Sequence, residues 1–443
     1  MGNCRIYRLL TSLVFASFAI SKAHAQEQEA TAPILDVRGN MNVGLWSGDR
    51  VLSDQGAAGI AKLQLQAASQ WDSAWSVRAN ANLNYFEQTP STSKTRAVQA
   101  HWREAYLKWD GEQTEWKIGT QVFSWGRADR LNPTDNLSAR DFTSPFATDD
   151  EQRLGSFASS LSQHLNADTR LNLIVQQVKK SVFPSDRLES KLAVAPLHRD
   201  FDYAIKLDQS GNEFDWSVSY FDGVEKTRSL ELIQTAGALK GVQRRFRGLQ
   251  SFGADAATTI GSWGLRAELA YLHFKSEAEI GLDRSSNRSA ANSAANGAAN
   301  GAGRLSHWYG VFGVENNLGS NASIGVQYFF RQFKQDPNFP DLPTAWRPTL
   351  AKLQVANNQF HQWQDGVTLR YAQRLMNDQL DYEIVAMSNL RDGDVVLRPR
   401  LNYRYSDSVK WVFGCDVFRG NDHSFFGSLK KNSLALTELV FIF

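Results

Sequence analysis

The chain has 443 residues, with 48 Lys and Arg against 46 Asp and Glu and a formal net charge of +2. So even a balance excludes bulk attraction to nucleic acid or to an anionic surface as the basis of function. Two cysteines, Cys4 and Cys415, exclude a disulfide framework, and a mean hydropathy of −0.40 excludes a bundle of membrane-spanning helices.

The first element is an export signal. Arg5 and Arg8 form a basic start, Leu9 to Ile20 is apolar but for small hydroxyl residues, and Ala23-His24-Ala25 supplies small residues where a signal peptidase reads. The apolar run is too short to span a bilayer. Cleavage is expected after Ala25, leaving one domain over 26–443 that begins its first strand within a few residues, with no room for a plug domain. Only Cys415 then remains, so neither a disulfide nor a cysteine-based metal or redox site is expected.

Period-two segments follow from about residue 33 to the end. In 395–405, Leu397, Pro399, Leu401, Tyr403 and Tyr405 share one face while Arg398, Arg400, Asn402 and Arg404 share the other. Successive strand side chains point to opposite faces, so such a segment has an apolar and a polar side. About eighteen (16–18) are predicted: 33–46, 59–70, 73–86, 96–109, 114–124, 155–165, 168–179, 198–208, 213–222, 247–258, 262–274, 305–317, 321–333, 357–373, 379–389, 394–405, 409–418 and 432–443. No blade-length repeat or linker divides them, which argues against a propeller or a multidomain sandwich. Short turns such as Asp72-Ser73 and Asn377-Asp378 alternate with longer insertions over 47–58, 87–95, 125–154, 180–197, 223–246, 275–304, 334–356 and 419–431. The fold class is all-β: a transmembrane antiparallel barrel with short periplasmic turns and long external loops. The short stretch Arg391 to Asp394 breaks the alternation. Within 275–304 an Ala-Ala-Asn unit repeats every four residues from Ala290 to Asn300, a composition that buries no core.

The third long loop carries the densest chemistry. It runs from Gly119-Thr120-Gln121 through Trp125-Gly126-Arg127-Ala128-Asp129 and Asn132-Pro133 to Arg153. Arg127, Arg130, Arg140 and Arg153 are interspersed with Asp129, Asp135, Asp141, Asp149, Asp150 and Glu151. These are the candidates for a lumen-constricting segment, 125–154, with acids on one side and arginines on the other. Lys117 and Gln121 are expected on the lumen wall beside it. Arg398, Arg400 and Arg404 form a ladder on another part of that wall, balanced by Glu383 and Asp416 on adjacent strands. The alternative is a loop folded back by its own Asp–Arg pairs to brace the barrel.

The last ten residues end Leu439-Val440-Phe441-Ile442-Phe443, too apolar for an exposed end and apt for a strand that closes a barrel in lipid. A closing strand ending on Phe443 resembles the C-terminal signature of Gram-negative outer-membrane barrels. The Gly-x-Gln, Trp-Gly-Arg-Ala-Asp and Asn-Pro elements resemble a family of porin-like outer-membrane proteins of largely uncharacterised function, best over 103–155 and the two ends. The resemblance implies a place in the cell outer membrane, contact with its lipid, recognition of the Phe443 strand by the barrel-assembly machinery, and a third loop folded into the pore. It carries over no individual pore residue, and no residue establishes a homo-oligomer.

The expected function is passive diffusion of small solutes, with selectivity set by the charged lumen and the third loop. Alternatives are an exporter of an acidic polysaccharide along the arginine ladder, a facilitator of hydrophobic compounds, a surface-binding barrel using 223–246, 275–304 and 334–356, and an outer-membrane enzyme. No catalytic or metal site is expected. His101, His164, His198, His273, His307, His361 and His423 form no closely spaced motif, and no nucleophile elbow, P-loop or dinucleotide fingerprint is present. No cofactor is implied.

Overall fold

The computed structural model describes residues 35–50, 55–89, 95–145, 147–183, 192–195, 197, 199–211, 213–235, 238–275, 304–340 and 342–443. The expected export signal 1–25 and the Ala290–Asn300 repeat lie outside the described residues. Eighteen antiparallel strands form one sheet. In chain order they are β1 Leu35–Arg50, β2 Gln55–Gln70, β3 Trp75–Thr89, β4 Thr95–Asp110, β5 Thr114–Gln121 and β6 Ser156–His164. Next come β7 Thr169–Gln177, β8 Phe201–Gln209, β9 Phe214–Val224, β10 Gly248–Ile260, β11 Trp263–Phe274 and β12 His307–Leu318. The last six are β13 Ala322–Phe333, β14 Trp363–Leu375, β15 Leu380–Asn389, β16 Asp394–Ser406, β17 Val409–Arg419 and β18 Leu434–Ile442.

Each strand pairs with its sequence neighbours, and β18 pairs with β1 from Gly48↔Leu434 to Asn40↔Ile442. Phe443 continues the seam, exchanging backbone hydrogen bonds of 2.8 and 2.9 Å with Gly39. The sheet is therefore a closed barrel without edges, and every segment expected from alternation is one of its strands.

The barrel is inside out relative to a soluble domain. Along β8, Phe201 and Tyr203 are about half exposed, whereas Asp202 is fully buried. Apolar side chains face outward and polar ones face a lumen packed with hydrogen-bonding partners, as a lipid-facing wall requires. Glu438 points inward and accepts from the Asn42 amide at 3.0 Å. One bulge matters for the lumen: Asn80 pairs with Glu104 and Ala81 with Trp102, leaving Arg103 as the extra residue on β4. A bulge re-aims a side chain, and Arg103 reaches Asp150 at 2.6 Å.

The wall is uneven. β1, β2 and β4 have 16 residues each, but β5 has 8, and β6, β7 and β8 have 9. The segment 122–155 enters the barrel over this low rim. The expected strand 114–124 stops at Gln121 because Phe123 turns into the core packed around Trp125, Leu137 and Phe221.

Two loop structures correct the sequence reading. Residues 229–235 and 238–245 form a hairpin, and Arg347–Asn357 is a helix, α1. The expected strand 357–373 thus begins only at Trp363, after a helix that starts with Pro at its first turn and is ended by Asn358 in the left-handed region (φ 51°). The hairpin and helix bury Leu232, Leu342, Trp346, Leu350 and Leu353 together, and Asn357 bonds both backbone groups of Leu230 at 2.9 Å.

Candidate functional site

The polar interior is organised by the segment 122–155. Its turn is set at Gly126, which has φ 92° and lies so close to the β11 wall that a Cβ there would sit 2.6 Å from a Glu268 carboxylate oxygen. Glu268 accepts from the backbone N–H groups of Arg127 and Ala128, the latter at 2.5 Å, and from the Thr134 hydroxyl at 3.1 Å. A carboxylate closing several backbone donors anchors a loop more firmly than a side-chain pair on flexible stems.

From this anchor the chain crosses the lumen. Arg127 bonds Asp255 on β10 at 2.6 Å, with Asp215 on β9 at 3.5 Å. With its amide oxygen and nitrogen exchanged, the orientation that matches its neighbours, Gln327 of β13 donates to the Asp129 C=O and accepts from its N–H, both at 2.8 Å. Arg130, held in the left-handed region at φ 65°, reaches Glu383 on β15 at 2.6 Å, and Arg370 on β14 shares that carboxylate at 2.8 Å. A bulky residue at positive φ is costly and persists only where its surroundings hold it; here the Glu383 contact does so. On the return, Gln176 on β7 donates to the Leu137 carbonyl at 2.8 Å, and Asn136 to Ser251 on β10 at 3.1 Å.

The base of the loop is a four-member ion cluster. Arg153 is almost fully buried against Asp135, Arg140 lies 3.5 Å from the same carboxylate, and Asp149 binds both arginines. Two further tethers reach the wall: Asp150 to Arg103, and Glu151 to Lys62 at 3.2 Å. Burial pushes Glu151 up, but Lys62 and the Thr148 cap outweigh it and hold the carboxyl below its ordinary value.

The loop fills much of the lumen against β7–β11 and leaves an open passage against β13–β18 and β1, with residues of β10–β12 lining part of it. This cavity, about 1290 Å³, is lined at one end by Ser320 and Asn321 in a short turn and at the other by Phe142, Lys226 and Arg304 under the long loops. It therefore runs the length of the barrel. Of the loop candidates, Asp129, Arg130, Asp135, Arg140, Asp149 and Asp150 line it. Arg127, Asp141 and Arg153 do not: the first and last are spent on Asp255 and Asp135, and Asp141 caps Thr143 at 2.8 Å.

Charge is segregated across the passage. Its loop side carries five acids (Asp129, Asp135, Asp149, Asp150, Glu151) with Arg130 and Arg140, and three of those acids are paired with cations behind the lining, Asp135 with Arg153, Asp150 with Arg103 and Glu151 with Lys62. Its wall over β13–β18 carries seven cations (Arg331, Arg370, Arg374, Arg398, Arg400, Arg404, Lys410) against Asp381, Glu383 and Glu438. Asp416 lies behind that wall and binds Arg398 at 3.0 Å and Arg400 at 2.6 Å. The expected balancing of this ladder by Glu383 is corrected, because Glu383 serves Arg130 and Arg370 instead. Arg404 and Arg374, near the short-turn end, make no ion pair among the described residues. Lys117 and Gln121 face inward but lie outside the cavity lining, Lys117 bound to Glu115 at 2.7 Å and Gln121 bonded to Ser160 and the Ala158 carbonyl. Among the described residues no group of His, Cys, Asp and Glu could hold a metal ion.

Sequence reasoning missed Glu268, Asp255, Arg103 and Arg370. The only signal for the first was an acid on the polar face of strand 262–274; its loop partners lie about 140 residues away.

The closed barrel of eighteen antiparallel strands, narrowed by a long loop folded inside, is a porin-type fold. No protein-family model matches the chain, and no curated protein sequence does. Among solved structures the chain is similar to OccK5 (OpdH) of Pseudomonas aeruginosa, at 12% identity and a TM-score of 0.52, over 92% of this chain and 97% of that one. It is similar also to a variant of OccD1 (OprD), at 10% identity and 0.53, over 94% and 97%. OccAB3 of Acinetobacter baumannii matches at 10% identity and 0.52, over 92% and 99%. At such identities the likeness is one of fold.

Proposed function

We propose that this chain is an outer-membrane channel through which small polar solutes diffuse passively along the passage between the loop 122–155 and the β13–β18 wall. The carrying observation is the placement of charge: seven cations of the β13–β18 wall face loop acids, most of them already in ion pairs, across a water-accessible gap. In a narrow, partly desolvated gap such an arrangement produces a transverse field that water does not fully screen. A solute with separated charges lowers its energy by aligning across it, whereas an apolar solute of equal size only loses hydration. The excess of cations on the wall gives a modest preference for anions. The long-polysaccharide exporter is disfavoured by the same geometry, since loop acids face the arginines that would bind it, and two of those arginines are engaged by Asp416.

This reading places the barrel in the outer membrane, with the short turns at the periplasmic side, lipid on the outward apolar face and β18 as the strand read by the assembly machinery. It is a channel and not an enzyme. The test is single-channel recording of the purified protein in planar bilayers, with reversal potentials in a salt gradient. Discrete conductance with a weak anion preference is expected; strong cation selectivity would remove the wall-guided path.

A further inference from the structure

The outward face over β8–β13 changes character at its long-loop rim. Lower on these strands the outward positions are apolar and exposed, as at Ile205, Val218 and Leu269. At the rim three cations appear on the same face: Arg199, Lys275 and Lys334. Each is tied to an outward group. Arg199 lies over the Tyr203 ring, 5.2 Å from its centroid, and Lys334 over Tyr271 at 5.1 Å. Asp222, paired in register with Tyr203, binds Arg199 and, at 3.0 Å, Lys275. The Tyr220 hydroxyl and the Gln250 amide hold the same carboxylate at 3.3 and 3.0 Å.

Two aromatic pairs bracket the cations. Tyr220 and Phe252 have centroids 4.8 Å apart, and Tyr271 and Trp308 5.0 Å apart; Phe252 is 57% and Trp308 43% exposed, so the rings present their surfaces outward. Asp222 neutralises one of the three cations. Asp336, two residues after Lys334 in sequence, accepts from the Asn338 amide at 2.9 Å. Among the described residues the patch keeps a net positive charge. Aromatic rings that are apolar at one end and hydrogen-bonding at the other settle at headgroup level, and basic side chains there attract anionic headgroups.

We propose that this rim is a binding site for a lipid with an anionic, phosphate-bearing headgroup. Its phosphate sits among Arg199, Lys275 and Lys334, its glycerol or sugar portion lies against the Tyr271 and Trp308 rings, and its acyl chains run down Phe252, Val218 and Leu269. Asp222 is a positioning residue that holds Arg199 and Lys275 at the spacing of one headgroup. The site rests on the barrel being embedded in a bilayer, which conductance reports independently.

The experiment is native mass spectrometry of the full chain released from phosphatidylcholine nanodiscs containing a minor fraction of phosphatidylglycerol. The wild type is expected to retain phosphatidylglycerol in preference to phosphatidylcholine. The triple variant Arg199→Gln, Lys275→Gln, Lys334→Gln should lose that preference by about fivefold per cation, with single-channel conductance in neutral bilayers unchanged. Lys334→Gln alone covers the case in which the triple variant fails to insert, because Lys334 makes no ion pair among the described residues; about a fivefold loss is expected. Equal phosphatidylglycerol retention by wild type and variants overturns the site. Competition by inorganic phosphate in the aqueous phase would assign it to a free anion and overturn the lipid. Conductance that persists while lipid preference is absent would refute the rim site and leave the channel standing.

Discussion

Single residues decide whether the loop 122–155 stays inside the barrel. Gly126 is required twice, for its φ of 92° and for its approach to Glu268. Gly126→Ala would cost roughly 1–2 kcal/mol in backbone strain alone and would push Glu268 off its donors. The expected outcome is a noisier, larger single-channel current with the barrel still folded; an unchanged current trace would show that the anchor is dispensable. Arg153→Ala leaves the nearly buried Asp135 carboxylate with only its longer contact to Arg140 at 3.5 Å, a loss of up to about 3 kcal/mol for a weakened buried pair, to be seen as faster proteolysis within 122–155. Glu151 adds a pH response. Its carboxyl is held below the ordinary value, so its tether to Lys62 is intact above that value and is lost as pH falls through the lowered one. Current flicker should therefore begin only in acid. In Lys62→Met the tether is absent at every pH, so flicker should be present already at neutral pH and lose its acid onset. An onset that stays put would separate gating from Glu151.

At the scale of elements, strands and loops differ in how much of them can be read from sequence. Every barrel strand was legible, because a wall with lipid on one side and water on the other imposes strict alternation, and Leu397 to Tyr405 against Arg398 to Arg404 shows it without reference to neighbours. The loop's entry into the lumen was legible only as a density of Asp and Arg. Which partner each takes was not, since Arg127 and Asp255 are 128 residues apart and Arg130 and Glu383 are 253 apart. The Arg103 bulge was hidden for a related reason: an inserted residue looks like ordinary alternation until its partner strand is known. The helix α1 escaped because its buried face, Leu350 and Leu353, is completed only by the hairpin, which lies about a hundred residues earlier. The cationic wall of β14 and β16 gives the test at this scale. Arg374→Gln with Arg404→Gln removes two cations that no acid engages among the described residues, so folding should be unaffected. The ratio of anion to cation permeability should fall; a constant ratio would move selectivity to the loop.

The whole molecule is a closed ring, and its closure and its conductance are separate properties. Closure depends on the β1–β18 seam, where Phe443 and Gly39 exchange two backbone hydrogen bonds and the Phe443 ring lies so near Gly39 that a Cβ there would be 2.6 Å from it. Gly39→Val should therefore lower the yield of folded barrel, measured by the fraction that resists denaturation in detergent before heating, and a normal yield would mean that the seam tolerates the clash. Conductance depends on the gap that the loop leaves against the β13–β18 wall, with the Arg130–Glu383 contact at its edge. The most direct measurement is single-channel conductance of wild type and Arg130→Ala in the same planar bilayer. The account predicts discrete steps for the wild type and larger steps for Arg130→Ala, because the loop tip is released from β15. A barrel that inserts but carries no current in either form contradicts it.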